Sequence, residues 1–344
     1  MMPMCTHCCF IVAPGMLRRL LLDARDDATR QRLIYAVETS SFLRGHRVAR
    51  QGAIAMLAPG TKKSPGKKKP EKDRSVYDAE HRRQLPGPLV RAEGDKPVAD
   101  AAANAAYDNA GKTWDFYETI LGRNSIDGRG LEIVSSVHYG EAYNNAMWNG
   151  DQMVYGDGDG KLFLGFVNAL DVVGHELTHG VTQYTIPGGL LYQGLSGALN
   201  ESISDVFGSV IKQWSSGQTV DQADWLIGTG ILAPGLGKAL RSMARPGTAW
   251  IHDDQPDNMS SIDPDADVHT NSGVPNRAFY LAATALGGHS WEKAAPIWYG
   301  ALPKLSSSAD FSQMRKVTAS VAKTMFDATT AAAINEAWDT VGVS

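Results

Sequence analysis

The stretch Val173-Gly174-His175-Glu176-Leu177-Thr178-His179 constrains this chain more than any other. It sits in an apolar run compatible with a helix, and residues four apart on a helix share a face. A helix here aims the imidazoles of His175 and His179 at one point and sets Glu176 beside them. That pattern can hold Zn2+ and activate a water, with the carboxylate as base. The chain must therefore fold so that an otherwise apolar helix meets a further ligand from elsewhere.

A candidate for that ligand follows 22 residues after His179, in Ala198-Leu199-Asn200-Glu201-Ser202-Ile203-Ser204-Asp205, which reads as a second helix. Catalytic zinc usually takes three protein ligands and leaves a position open, so Glu201 completes a His/His/Glu set. Asp205 lies one turn beyond Glu201 and can accept the second ring N–H of a ligand histidine, fixing its tautomer. Taken alone, Glu201 is more often a solvated helix carboxylate; the neighbouring motif reverses that preference.

The 344 residues suffice for two lobes with sizeable cores. No apolar run approaches 18 residues, so no transmembrane helix is expected. Charge is divided unevenly: residues 1–74 carry 15 Lys and Arg against 6 Asp and Glu, the remainder 18 against 31. A basic front joined to an acidic body suggests an intramolecular partner. A nucleic-acid partner is not expected, because the bases are not interleaved with aromatics. All three cysteines, Cys5, Cys8 and Cys9, lie at the front, so the body holds no disulfide and reduced thiols are the default. The N-terminus lacks a basic n-region and its short apolar run, 8–13, soon meets Arg18 and Arg19. A Sec signal is therefore not supported.

Residues 16–43 carry a helical stripe, and 59–70 form a lysine-rich segment with Gly, Ser and Pro, a natural place for nicking. We divide the chain into a front segment 1–55, a linker 56–74 containing a maturation site, a lobe 75–185 and a lobe 186–344. In the body, 97–121 reads as a helix and 131–139 and 152–166 as strands. Residues 276–286, 292–302, 311–326 and 330–341 are helix candidates. Gly156-Asp157-Gly158-Asp159-Gly160 looks like part of a calcium loop, but the closing Glu position is Asn168, so a hairpin turn is the better reading.

Several separate motifs carry a resemblance: Tyr143-Asn144-Asn145-Ala146-Met147-Trp148-Asn149-Gly150, Val154-Tyr155-Gly156-Asp157-Gly158-Asp159-Gly160, the His175–His179 helix, Ser196-Gly197-Ala198-Leu199-Asn200-Glu201 and Val268-His269-Thr270-Asn271-Ser272-Gly273. Residues 75–344 resemble the thermolysin-like zinc metallopeptidases. The front, around Ala13-Pro14-Gly15-Met16-Leu17, is similar to the short prosegment of the protealysin branch, with Ala13 where that branch has proline.

The resemblance implies an α+β fold of two lobes, β-rich then helical, with one zinc in the cleft. It implies His175, His179 and Glu201 as ligands, Glu176 as general base and acid, and His269 and Tyr192 as donors to the oxyanion. Asp205 and Asn200 would orient the ligand histidines. Asn145, Ala146 and Arg241 would hold the substrate main chain, and Phe163, Val172, Ile227 and Leu240 would line an apolar pocket for the residue after the scissile bond. Taken alone, His269, Tyr192 and Arg241 are a turn histidine, a core aromatic and a surface cation.

The family's supporting Asp falls at Pro264, so Asp263 or Asp265 is expected to hold His269. The family's double calcium site keeps Asp171 and Asp224, but Lys212, Leu226 and Thr229 replace acids. Calcium is expected to be absent there or weakly held.

The implied protein is a monomeric endopeptidase acting on peptides, inhibited by its own prosegment. By resemblance it is secreted, although the sequence shows no convincing Sec signal; a cytoplasmic zymogen is the alternative. Two other readings are a zinc-stabilised binding protein without turnover and a processing peptidase of narrow specificity. A thiol near Cys9 blocking the zinc is a further expectation.

Overall fold

The structure is a computed structural model that describes residues 9–57 and 70–344. Cys5, Cys8, the Cys9 thiol and the lysine-rich part of the linker, 58–69, lie outside the described residues, so the thiol expectation and the maturation site do too.

The front segment opens as a strand, β1 (Cys9–Phe10), which the sequence reading did not anticipate. It turns into α1 (Pro14–Asp23), with proline at the first helical position, where its missing N–H costs nothing. Helix α2 (Asp27–Leu57) follows, and Asp26 accepts from the Thr29 N–H at 2.9 Å as its cap. The linker expected to reach residue 74 ends earlier: Lys72 pairs with Asp115 at 2.7 Å. Arg74 already belongs to β2 (Arg74–Asp78) and binds both carboxylate oxygens of Glu93 at 2.6 Å.

The first lobe is built on β2, β3 (Leu89–Ala92), β4 (Ile133–Val137), β5 (Ala146–Trp148) and β6 (Met153–Tyr155). The sheet order is β1-β5-β6-β4-β2-β3, with β4 parallel to both β2 and β6 and the other neighbours antiparallel. The front segment is thus an edge strand of this sheet, in register Cys9 to Trp148 and Phe10 to Met147. Helix α3 (Ala101–Leu121) is capped by Asp100 and ends at Gly122 in the left-handed region. Residues 156–162 do not form the expected hairpin between paired strands. Asp159 Oδ1 gathers the N–H groups of Lys161 and Leu162, and Phe163 then bridges to Leu232.

Helix α4 (Leu170–Thr185) closes the first lobe. The second lobe is mainly helical, as expected: α5 (Gly194–Ser216), the short pair β7 (Leu226–Ile227) and β8 (Arg241–Ser242), then α6 (Val268–Asn271), α7 (Gly273–Leu286), α8 (Ala294–Ala301), α9 (Phe311–Met325) and α10 (Ala328–Thr340). Trp298 of α8 stacks on Trp338 of α10 with centroids 6.2 Å apart. Among the described residues no helix is long and apolar enough to cross a membrane.

One close approach sets the site. Helices α4 and α5 cross at Gly174 and Gly208. A Cβ added at Gly208 would lie 2.4 Å from the Asp171 carbonyl oxygen, and one at Gly174 would lie 3.2 Å from the Gly208 Cα. The two backbones can touch only without those carbons, and the touch faces the histidines of α4 toward Glu201 and Asp205 of α5. Gly208→Val should therefore destabilise the fold by about 1–3 kcal/mol. Gly45→Ala, with open space around its Cβ, should be neutral or stabilising. Paired urea-unfolding curves check both.

Candidate active site

The α4–α5 crossing brings three lone-pair donors together. His175 Nε2 and His179 Nε2 lie 3.0 Å apart, and the oxygens of Glu201 lie 3.4 and 3.5 Å from them. All three side chains are buried. The far nitrogens fix the tautomers: His175 Nδ1 donates to Asp205 Oδ1 at 2.8 Å, and His179 Nδ1 to Asn200 Oδ1 at 2.8 Å. Each Nε2 therefore presents a lone pair to the other, with a carboxylate alongside. Such an arrangement is repulsive without a cation between its members, and His/His/Glu suits zinc. These residues form a metal site.

Asp205 does more than orient His175. Its two oxygens also take Arg241 Nε at 2.9 Å, Arg241 Nη2 at 2.8 Å and Asn276 Nδ2 at 2.8 Å. Burial opposes its charge, but Arg241 and His175 outweigh it and hold the carboxyl well below the usual range. The sequence reading missed Asn276, as well as Ser204, whose Oγ lies 3.0 Å from His179 Nδ1.

Glu176 is fully buried next to the ligands. Its Oε2 accepts the Trp148 N–H at 2.8 Å, while Oε1 has no hydrogen-bond partner among the described residues. Burial, with Glu201 adding to it and His175 opposing it, pushes the carboxyl up to about 8.

His269 requires a correction. Neither Asp263 nor Asp265 holds it; Asp267 does, with Oδ1 2.6 Å from His269 Nδ1. The reason is local. Asp267 is the N-cap of α6 and accepts the His269 N–H at 3.0 Å, so one carboxylate both caps the helix and grips the ring two residues on. Asp263 instead gives its backbone carbonyl to Asn271 Nδ2 and its side chain to the Asp265 N–H. The legible signal was an Asp-x-His at a helix start. Burial opposes the charge of His269, but Glu201 and Asp267 outweigh it and raise its pKa. The Tyr192 hydroxyl bonds Glu201 and lies 3.5 Å from His269 Nε2.

The residues expected to bind a substrate backbone hold the front segment. Val12 N–H donates to Asn145 Oδ1 and Asn145 Nδ2 donates to the Val12 carbonyl, each at 3.0 Å. Ile11 N–H donates to the Ala146 carbonyl at 3.2 Å, and Arg241 Nη1 donates to the Ile11 carbonyl at 3.0 Å. His269 Nε2 donates to the Phe10 carbonyl at 2.6 Å. Phe163, Val172, Ile227 and Leu240 are all fully buried. Val172 precedes His175 by one turn of α4, and Leu240 N–H bonds the Ile227 carbonyl at 2.9 Å beside Arg241.

At the remnant of the calcium site, Lys212 Nζ reaches Asp171 Oδ2 at 2.9 Å, Asp224 Oδ1 at 2.9 Å and the Leu226 carbonyl at 2.7 Å. Leu226 thus contributes through its backbone.

A buried metal site beside a strand edge that holds an extended chain by its main-chain groups suits the hydrolysis of peptides. Comparison with known proteins agrees. Residues 62–183 match the thermolysin metallopeptidase catalytic domain, and residues 188–343 match its alpha-helical domain. The chain belongs to the thermolysin metallopeptidase family and is a metalloendopeptidase.

It is 46% identical to an extracellular metalloprotease of Pectobacterium carotovorum subsp. carotovorum, over 97% of this chain and 96% of that protein. It is 42% identical to a thermolysin of Alicyclobacillus acidocaldarius subsp. acidocaldarius over 78% of this chain, which spans 50% of that longer protein. Among solved structures, the precursor of protealysin, a metalloproteinase from Serratia proteamaculans, superposes with a TM-score of 0.86 at 44% identity, covering 98% of this chain and 100% of that one. The protealysin-like assignment follows.

Asn200→Ala removes the carbonyl oxygen that fixes the His179 tautomer. Metal affinity should fall ~10–100-fold, read by competition with a chromophoric chelator.

Proposed function

We propose that this protein is a zinc endopeptidase made as a zymogen, cutting peptides on the N-terminal side of bulky hydrophobic residues. The supporting observation is that Asn145, Ala146, Arg241 and His269 hold the front segment by its backbone next to His175, His179 and Glu201. Residues that grip any extended chain in this way suit a substrate cleft, and here the chain's own front blocks it.

Zinc, when bound by His175, His179 and Glu201, supplies Lewis acidity and brings a water's pKa from ~16 toward ~7. Glu176 takes a proton from the attacking water and passes it to the leaving amine. His269 Nε2–H and the Tyr192 hydroxyl donate to the oxygen that gains charge. Arg241 and Asn145 hold the chain on the amine side of the bond. Phe163, Val172, Ile227 and Leu240 offer an apolar wall to the residue after it. The front segment, about residues 1–55, is the inhibitory prosegment, released by a cut in the linker. We place the enzyme outside the cell, where its extracellular Pectobacterium relative acts.

With the prosegment released, cleavage of a peptide carrying Leu after the scissile bond should be abolished by 1,10-phenanthroline. Glu176→Ala should lower the rate ~10²–10⁴-fold, and His269→Ala should lower kcat ~10²–10³-fold with zinc still bound. No cleavage from zinc-replete, prosegment-free enzyme would overturn the reading.

Calcium is a second test. Lys212 already satisfies Asp171, Asp224 and Leu226, so millimolar calcium or EGTA should leave Tm unchanged. A calcium-dependent rise in Tm would overturn the assignment of that place to Lys212.

A further inference from the structure

The prosegment lies in the cleft as a substrate lies, and one of its peptide bonds occupies the reacting position. We propose that the zymogen hydrolyses its own Phe10–Ile11 bond within one molecule, and that residues 11–57 remain seated afterwards. This rests on the zinc endopeptidase reading given above.

The register assigns the bond. The carbonyl that faces the oxyanion donor is the one water attacks, and His269 Nε2 donates to the Phe10 carbonyl at 2.6 Å. The same Nε2 is 3.2 Å from Glu201 Oε2, so that carbonyl sits against the metal ligands. On the amine side the chain is clamped at successive groups: Ile11 N–H by Ala146, the Ile11 carbonyl by Arg241, and both backbone groups of Val12 by Asn145. Upstream, Cys9 is opposite Trp148, and the Trp148 N–H is bound by Glu176. The candidate base is therefore held one residue upstream of the bond on the same strand edge, with one buried oxygen that has no hydrogen-bond partner among the described residues. Ile11, fully buried, is the bulky aliphatic residue that the pocket requires after the bond.

The chemistry balances without any other reactant. Water adds to the Phe10 carbonyl carbon, its two protons pass in turn through Glu176 to the Ile11 nitrogen, and the C–N bond breaks. Phe10 leaves as a carboxylate and Ile11 remains as an ammonium.

The cut severs little of what holds the segment. Asn145 and Arg241 still grip Ile11 and Val12, and Leu17, Leu33 and Ala36 stay buried on α1 and α2. The new ammonium would face the carboxylates of the site. The clipped zymogen is thus still latent, and the linker cut remains the activating step.

Seating and cleavage are tested separately on the full chain. In metal-free Glu176→Ala protein, the amides of Ile11 and Val12 should exchange hydrogen at least ~10²-fold more slowly than in the Ile11→Asp variant; equal, fast exchange in both overturns the register. Zinc added to wild-type zymogen should yield, by intact mass, a form lacking residues 1–10 at a rate independent of protein concentration. Glu176→Ala should slow this ~10²–10⁴-fold. Latency toward the Leu peptide should persist until trypsin nicks the lysine-rich linker. If the trypsin-nicked protein cleaves the Leu peptide but zinc never releases residues 1–10, the self-cleavage proposal fails and the peptidase reading stands. If neither reaction occurs in zinc-replete protein, the peptidase reading fails as well.

Discussion

The structure turns on the buried carboxylate of Asp205. Its two oxygens accept from a metal-ligating histidine, from both sides of the Arg241 fork and from Asn276 on α7. One residue of α5 thereby joins the metal site on α4, the backbone clamp on β8 and a core helix of the second lobe. Withdrawing one partner from a buried charge pair typically costs ~3–5 kcal/mol, because the remaining charge is stranded. Here it would also free a metal ligand and misplace the group that holds the chain in the cleft. A metal-site histidine and the arginine that holds the front segment meet on a single anion.

The manner in which the prosegment docks follows from this rigidity. The opposed charges of front and body suggested electrostatic docking, and Arg19 does pair with Asp254 at 2.6 Å. That pair is more than a third exposed on both sides, where ion pairs contribute little. The contacts that define the seat are buried main-chain bonds along the edge of β5 and the apolar faces of α1 and α2. Strand addition at a sheet edge reads backbone and so fixes register without demanding a particular sequence. Hydrogen bonds and burial define the fit.

This division explains what could be read in advance. The ligands, Glu176 and Asp205 were legible because a helix converts spacing into direction, so i, i+4 residues must share a face. The four C-terminal helices were legible for the same reason, and their ends shift by only a few residues. Strand β1 was not legible: two residues have no periodicity of their own and are extended only because β5 offers an edge. Asp267 was missed because a one-residue counting argument sought the family's spacing, while the rule that operated was helix capping. Asn276 and Ser204 reach the site through tertiary packing that no local pattern encodes.

Lys212 shows how the same scaffold closes a site without a free ion. An ammonium has three N–H donors, and Asp171, Asp224 and the Leu226 carbonyl supply three acceptors within 2.9 Å. Burial opposes the charge, but the two carboxylates outweigh it and raise the pKa of Lys212. A calcium ion at free concentration c would stabilise the fold by RT ln(1 + c/Kd), so only while the free ion is present; a tethered cation is always present. The tether begins on α5, which carries Glu201 and Asp205, and ends on α4 and on the backbone next to Ile227. It therefore joins the metal-ligand helices to the β7 backbone beside Ile227. Lys212 thus supplies a tethered positive charge that ties α4, α5 and the Leu226 backbone together.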